Sequence, residues 1–152
     1  YWYNIKKRPD VIIFEGWCVG ARSENKITLK KSKNTLERFS DKDLIWRKYV
    51  NNQLKNKYKI LYNQLNCLLY LKASNFKILQ KWRLIQEKKL KLKNKKKILK
   101  KTKIMSRHDV LKFMRTYQRI TENMFKKTPN YCSILMNLNK DHQIKSVIYK
   151  SK

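Results

Sequence analysis

Asp10-Val11-Ile12-Ile13-Phe14-Glu15-Gly16-Trp17-Cys18-Val19-Gly20 is the stretch on which the reading of the chain turns. Val11 to Phe14 is an unbroken apolar run, short enough for a strand buried on both faces. It stops at Glu15-Gly16. Open α/β sheets bind ligands just past the carboxyl ends of such strands. Gly16 lets the chain turn there without a Cβ clash. A carboxylate at that point suits the water shell of a magnesium ion beside a nucleotide phosphate. A strand whose last residue merely faces solvent has the same pattern, so both readings are open at this point.

The 152 residues suffice for one domain with a core, and 41% of them are hydrophobic, as in an ordinary globular protein. The aromatic content argues against disorder. No apolar run approaches the roughly 20 residues of a membrane span, and no signal-peptide pattern opens the chain. The first residue is Tyr1, which points to a piece of a longer polypeptide. The net charge of +29 comes from 39 Lys and Arg against 10 Asp and Glu. Such an excess gives sequence-blind affinity for polyanions, nucleic acid included. Most of the excess is Lys; Arg, the usual reader of base edges, is scarcer. Compositional drift in an AT-rich genome explains a Lys-, Asn- and Ile-rich chain as well as nucleic-acid binding does. Cys18, Cys67 and Cys132 are too far apart for a metal-ligand spacing, and His108 and His142 stand alone. Cys67 and Cys132 read as small buried residues, and a reducing cytosol suits all three. A catalytic thiol at Cys18 has no nearby His to activate it.

Tyr1–Arg8 reads as the end of an element packed against the sheet, with strand Asp10–Glu15 after it. The polar segment beyond Gly20, with Arg22, Lys26, Lys30, Lys31 and Lys33, predicts a long loop. Ser40-Asp41-Lys42-Asp43 predicts a helix start with Ser40 as its N-cap. Cys67–Leu71 predicts a second buried strand, and Ala73-Ser74-Asn75 the cap of a long helix with Ile78, Leu79, Trp82 and Ile85 on one stripe. Arg83 and Glu87 are i and i+4, which suits a surface ion pair. The lysine run 88–103 either continues the helix or forms a mobile lid. It is also where a nucleic acid would make contact, although it lacks interleaved aromatics for base stacking. Ser106 to Asp109 is a capping box opening a helix striped by Val110, Phe113, Met114, Tyr117, Ile120, Thr121 and Met124. Arg115 and Arg119 fall on one face and read as solvent-exposed. Tyr131–Leu138 and Gln143–Tyr149 read as two further strands joined by a hairpin at Asn139-Lys140-Asp141-His142. Helices alternating with short apolar strands predict an α/β fold with a mostly parallel sheet.

Four segments together resemble the D-glycerate 3-kinase-like branch of the P-loop kinases, relatives of uridine kinase and phosphoribulokinase. They are Glu15-Gly16-Trp17-Cys18-Val19-Gly20; Arg47-Lys48-Tyr49-Val50-Asn51-Asn52-Gln53-Leu54, similar to Arg-x-Tyr-Val-Asn-x-x-Leu; Trp82-Arg83 with Gln86-Glu87 and Leu90, similar to Trp-Arg-x-x-Gln-Glu-x-x-Leu; and Met105-Ser106 with Val110 and Phe113, continuing through Tyr117–Glu122. The resemblance covers nearly the whole chain. It implies transfer of the ATP γ-phosphoryl group to a hydroxyl of D-glycerate or a similar small hydroxy acid, with Mg2+. It implies catalytic roles for Glu15, on the magnesium shell through water, and for Arg83, near the transferring phosphoryl group. Gln86 and Glu87 would lie beside the nucleotide, and Trp17, Arg22 and Asn51 beside the acceptor.

The chain departs from that family in one respect. It contains no Gly-x-x-x-x-Gly-Lys-Ser/Thr, and its two glycines are Gly16 and Gly20. The backbone amides and Lys of that loop supply most phosphate contacts in such enzymes. The expectation is therefore the carboxyl-terminal part, residues 1–152, of a single P-loop kinase-like domain, cytoplasmic and without a membrane segment. Its partner would be an amino-terminal half carrying the phosphate loop. Two other classes stay open: a pseudoenzyme that keeps the fold without the chemistry, and a basic nucleic-acid-binding module.

Overall fold

The computed structural model describes residues 3–4, 6–94 and 104–150. Its element order is α1 (Lys26–Lys30), α2 (Thr35–Ser40), α3 (Ile45–Lys55), α4 (Lys57–Tyr62), β1 (Leu69–Lys72), α5 (Phe76–Asn94), α6 (Arg107–Lys127), a 3₁₀ turn (Thr128–Asn130), β2 (Ile134–Leu138) and β3 (Ile144–Tyr149). The sheet has three strands in the order β1-β2-β3. β1 and β2 are parallel, with Leu69 opposite Ile134, and β2 and β3 are antiparallel. The mixed α/β class and the closing hairpin agree with the sequence reading, but the expected mostly parallel sheet is not seen among the described residues: one pair, joined by the β1-α5-α6-β2 crossover, is parallel and the other antiparallel.

Helix α6 is the axis of the molecule. Ser106 Oγ accepts from the Asp109 amide and the Asp109 carboxylate accepts from the Ser106 amide, so the expected capping box is formed. The Ser106 hydroxyl also donates to the Asp109 carboxylate at 2.6 Å, and this bond, with the one from the Ser106 amide, holds the Asp109 carboxyl below its usual range. One face of α6 buries Val110 and Met114 against Phe76 of α5, with Leu79, Leu84, Met105 and Phe125 around them. Asn75 caps α5 as expected, accepting from the Ile78 amide at 3.0 Å. Beyond α6, the Thr128–Asn130 turn leads into β2, whose Leu135 is buried. The hairpin turn is fixed by Asn139, whose Oδ1 accepts from the amides of Asp141 and Gln143, both at 2.9 Å.

Several expectations do not hold. Residues 10–15 form no strand, and Val11, Ile12 and Ile13 are 75, 80 and 84% exposed. An apolar run becomes a buried strand only when another strand lies beside it, and none of the described strands does. The described residues of Tyr1–Arg8 are exposed and lie outside helix and strand. The segment beyond Gly20 is not a loop but carries α1 and α2, capped by Asn25 and Asn34. Ser40 is the last residue of α2, not an N-cap. The cap of α3 comes instead from Asp41, whose carboxylate accepts from the amides of Trp46 (2.9 Å) and Arg47 (3.2 Å). Leu44, with φ 60°, makes the left-handed turn that brings them together. β1 is half open, with Leu69 and Leu71 on the exposed side of the range. Cys67 is exposed, while Cys132 is buried as expected. Of the lysine run, residues to Asn94 continue α5, and 95–103 lie outside the described residues.

Candidate functional site

The segment from Trp17 to Glu37 packs along α6, Trp17 on the Tyr117–Thr121 part of the apolar stripe and the rest on the face that carries Arg115, Arg119 and Asn123. Trp17 Nε1 donates to Thr121 Oγ1 at 3.0 Å, and its ring stacks on Tyr117 with centroids 5.3 Å apart. Asn123 Nδ2 donates to the Arg22 carbonyl at 2.8 Å. Asn34 Nδ2 donates to the Arg115 carbonyl and to Gln118. Gly20 sits at φ +79°, a conformation that favours glycine, and its Cα faces the Leu68 side chain just before β1.

Arg119 is the centre of this packing, and its burial corrects the expectation that it is solvent-exposed. Its Nε and Nη2 donate to the two carboxylate oxygens of Glu37, both at 2.7 Å. Nη1 donates to Glu24 (2.9 Å) and to the Thr28 carbonyl (3.2 Å), and Nη2 also to the Lys31 carbonyl (2.5 Å). All five N–H groups of the guanidinium are used, as burial of a charge requires. Burial would lower the Arg119 pKa, but the bonds to Glu37 and Glu24 outweigh it and raise it. Arg47 is buried beside it, with Nε 2.8 Å from Asp41 and with bonds to the carbonyls of Leu29 and Asp41. For Asp41, burial works upward, but the hydrogen bonds from Arg47 and from the Trp46 and Arg47 amides win and hold its carboxyl below the usual range.

A cavity of about 390 Å³ opens beside these pairs, lined by residues of α1–α3 and α6. Two of the three expected acceptor-side residues, Arg22 and Asn51, line it. The third, Trp17, does not; it is held against α6. Asn51 is fully engaged with the Glu24 backbone, accepting from its amide at 2.7 Å and donating to its carbonyl at 3.1 Å. Its side chain therefore positions the entry to α1. Arg22 lies over Tyr131, its guanidinium carbon 3.5 Å from the ring centroid, and has no carboxylate partner among the described residues.

The other expected residues lie elsewhere. Arg83, Gln86 and Glu87 are in α5, which starts past the carboxyl end of β1. Arg83 Nη2 is 2.5 Å from Glu87 Oε1, and the buried Glu87 also accepts from the Met105 amide at 3.3 Å. Glu87 thus ties α5 to the start of α6, and Gln86 faces solvent. Trp82 donates to the Lys140 carbonyl at 2.8 Å and stacks on His142, centroids 4.0 Å apart, joining α5 to the hairpin at that same end of the sheet. Arg22, by contrast, belongs with the amino ends of β1 and β2: the Gly20 carbonyl accepts from Tyr131, and Gly20 touches Leu68. Glu15 is exposed and makes no ion pair or hydrogen bond among the described residues. These residues hold no group of three or more His, Cys, Asp or Glu able to bind a metal. One exposed carboxylate fits a Mg2+ whose other ligands are waters and substrate phosphates, and does not fit an all-protein cage. Burial pushes the Cys18 thiol up to about 11, which keeps it protonated and weakly nucleophilic at neutral pH.

Sequence reasoning missed Arg47 and Arg119 with Glu24, Glu37 and Asp41. The partners of Arg119 lie 82 and 95 positions away, so no local spacing announces them. No helix among the described residues is long and apolar enough to cross a membrane. No protein family and no curated protein matches the sequence. A search of solved structures matches the D-glycerate 3-kinase from Cryptococcus neoformans var. grubii serotype A, with a TM-score of 0.69 and 21% identity. The match covers 96% of this chain and 52% of that one, so the chain spans about half the length of the kinase it resembles. The chain therefore has the fold of about half of a D-glycerate 3-kinase.

Proposed function

We propose that residues 1–152 are the carboxyl-terminal part of a P-loop kinase-like domain that moves the γ-phosphoryl group of ATP to a hydroxyl of D-glycerate or a similar small hydroxy acid. The observation that carries this reading is the match of 96% of the chain to about half of a D-glycerate 3-kinase. Two features of the surface support a missing half. Val11 to Phe14 is an exposed apolar run, with Val11, Ile12 and Ile13 at least 75% exposed, and among the described residues β1 has a strand on one side only. An extended apolar run and an open sheet edge are both relieved by an added strand. The second half would bring the phosphate-binding loop, and this chain would bind ATP poorly without it.

In this reading Glu15 holds the water shell of a Mg2+ ion, which would neutralise phosphate charge when bound. Arg83 leaves Glu87 and stabilises charge on the phosphoryl group in flight. Gln86, exposed on the same helix, lies beside the nucleotide with Glu87, which holds Arg83 until the nucleotide is bound. The test is an assay of the intact native gene product for ATP-dependent phosphorylation of D-glycerate. Turnover is expected, and Glu15→Gln and Arg83→Ala should each slow it by about tenfold or more. A native polypeptide with no phosphate-binding loop and no turnover would leave the fold without its reaction. Near-normal rates in both variants would remove the two role assignments.

A further inference from the structure

The hollow at the amino ends of β1 and β2 has a charge balance unlike that of the cavity described above. It is an open cleft of about 970 Å³, walled by Gly20–Ser23, the α3–α4 junction, the segment leading into β1 and the end of α6. Four cations line it, Arg22, Lys55, Lys59 and Lys127, and no carboxylate does. In the other cavity Arg47 and Arg119 are neutralised by Glu24, Glu37 and Asp41. Two of the cleft's cations are fixed: Arg22 is stacked on Tyr131, and Lys127 Nζ donates to the Ser23 carbonyl at 3.2 Å. Lys55 and Lys59 are exposed at the rim and form no ion pair among the described residues.

A concave wall of one sign concentrates the potential beyond what the net charge of the chain gives over a convex surface. Like charges held around one cleft repel each other, and an anion relieves that repulsion. The cleft is larger than a single phosphate or small hydroxy acid requires, and its cations are spread over separate walls. We infer that this cleft binds a run of phosphate groups, the chemistry shared by a single nucleic-acid strand and inorganic polyphosphate. The site is at the end of the sheet opposite to α5 and the β2–β3 hairpin, so it does not depend on the kinase reading.

The test compares two double variants of the full-length native polypeptide with the same change in charge. Lys55→Glu/Lys59→Glu alters the cleft, and Lys112→Glu/Lys145→Glu alters exposed lysines on α6 and β3. Binding is measured by fluorescence anisotropy with a labelled single-stranded oligonucleotide and, by competition, with inorganic polyphosphate, across a salt series. The cleft variant is expected to lose about tenfold or more in affinity. The slope of log affinity against log salt should shrink by about 1.4, the value for two phosphate contacts on a single strand. The control variant should lose less than about threefold. Competition by polyphosphate as strong as by oligonucleotide would name phosphate alone as the ligand; weaker competition would name the nucleic-acid strand. Equal losses in the two variants, or no binding of either probe above the diffuse background, would overturn the proposal. If the Glu pair fails to fold by circular dichroism, Lys55→Gln/Lys59→Gln carries the same test with half the charge change.

Discussion

The clasp around Arg119 and the run Val11–Phe14 are two regions of one short chain in which the usual rule is inverted. In the clasp, charged side chains are inside: Arg47, Arg119, Glu37 and Asp41 are all buried. In the run, aliphatic side chains are outside. The difference teaches what decides burial. A charge can be buried when every donor and acceptor finds a partner, as the five N–H groups of Arg119 do. An aliphatic run stays outside when nothing apolar is available to cover it. The clasp finds all its partners among the described residues, and the run finds no cover among them.

The comparison breaks most severely if the clasp is opened. Arg119→Ala leaves half-buried Glu24 without a cation and buried Glu37 with only Arg47, 3.9 Å away, and should cost about 3–5 kcal/mol in urea unfolding, the range for removing one partner of a buried pair. Arg119→Lys should recover only part of that loss, because an ammonium cannot reproduce the two-pronged bond to Glu37. A loss below 1 kcal/mol for the Ala variant would mean that apolar packing on α6 holds the segment instead. Met114→Ala, in the apolar core on the opposite face of α6, should cost about 2–5 kcal/mol, which sets the scale for comparison.

The exposed run sharpens the comparison from the other side. Ile12→Ser should change the unfolding free energy of this 152-residue chain by less than about 0.5 kcal/mol. In the intact polypeptide, where the proposed second half covers the run, the same change should cost about 1.5–3 kcal/mol. Equal effects in the two settings would argue against a covering half.

Acid should loosen the clasp. The folded Asp41 carboxyl lies below its unfolded value of about 3.9, so its contribution is complete above about pH 5. It is lost as the pH falls through the folded value. Stability followed from pH 6 downward should fall on that limb in the parent and less in Asp41→Asn, which starts lower. The smallest effect expected is chemical: a thiol reagent at neutral pH should modify exposed Cys67 well before Cys18 or buried Cys132. Cys18 should need alkaline conditions, since its thiol ionises only near pH 11.

The elements that could be read from sequence are those with local causes. The α6 stripe from Val110 to Met124, its Ser106–Asp109 box, the Asn75 cap and the β2–β3 hairpin each depend on residues within a few positions of one another. Helices α1 and α2 were illegible because their stability is not local. They are five and six residues long, and they are held by Arg119 and Asn34 bonds to α6 across the fold. The expectation of a strand at residues 10–15 failed for the converse reason: the local pattern is there, but a strand needs a neighbour.

By itself, then, the sequence determined the α/β class, the long helices and their caps, the closing hairpin and the resemblance to a glycerate kinase, because periodicity, capping and motif residues act over short distances. Only the tertiary structure decided which charges are buried and where the candidate site residues fall. It put Arg83, Gln86 and Glu87 past the carboxyl end of β1, placed Arg22 at the amino end, and turned Asn51 into a support for Glu24. Those outcomes depend on partners tens of residues apart, whose pairing free energy exists only once the chain has folded.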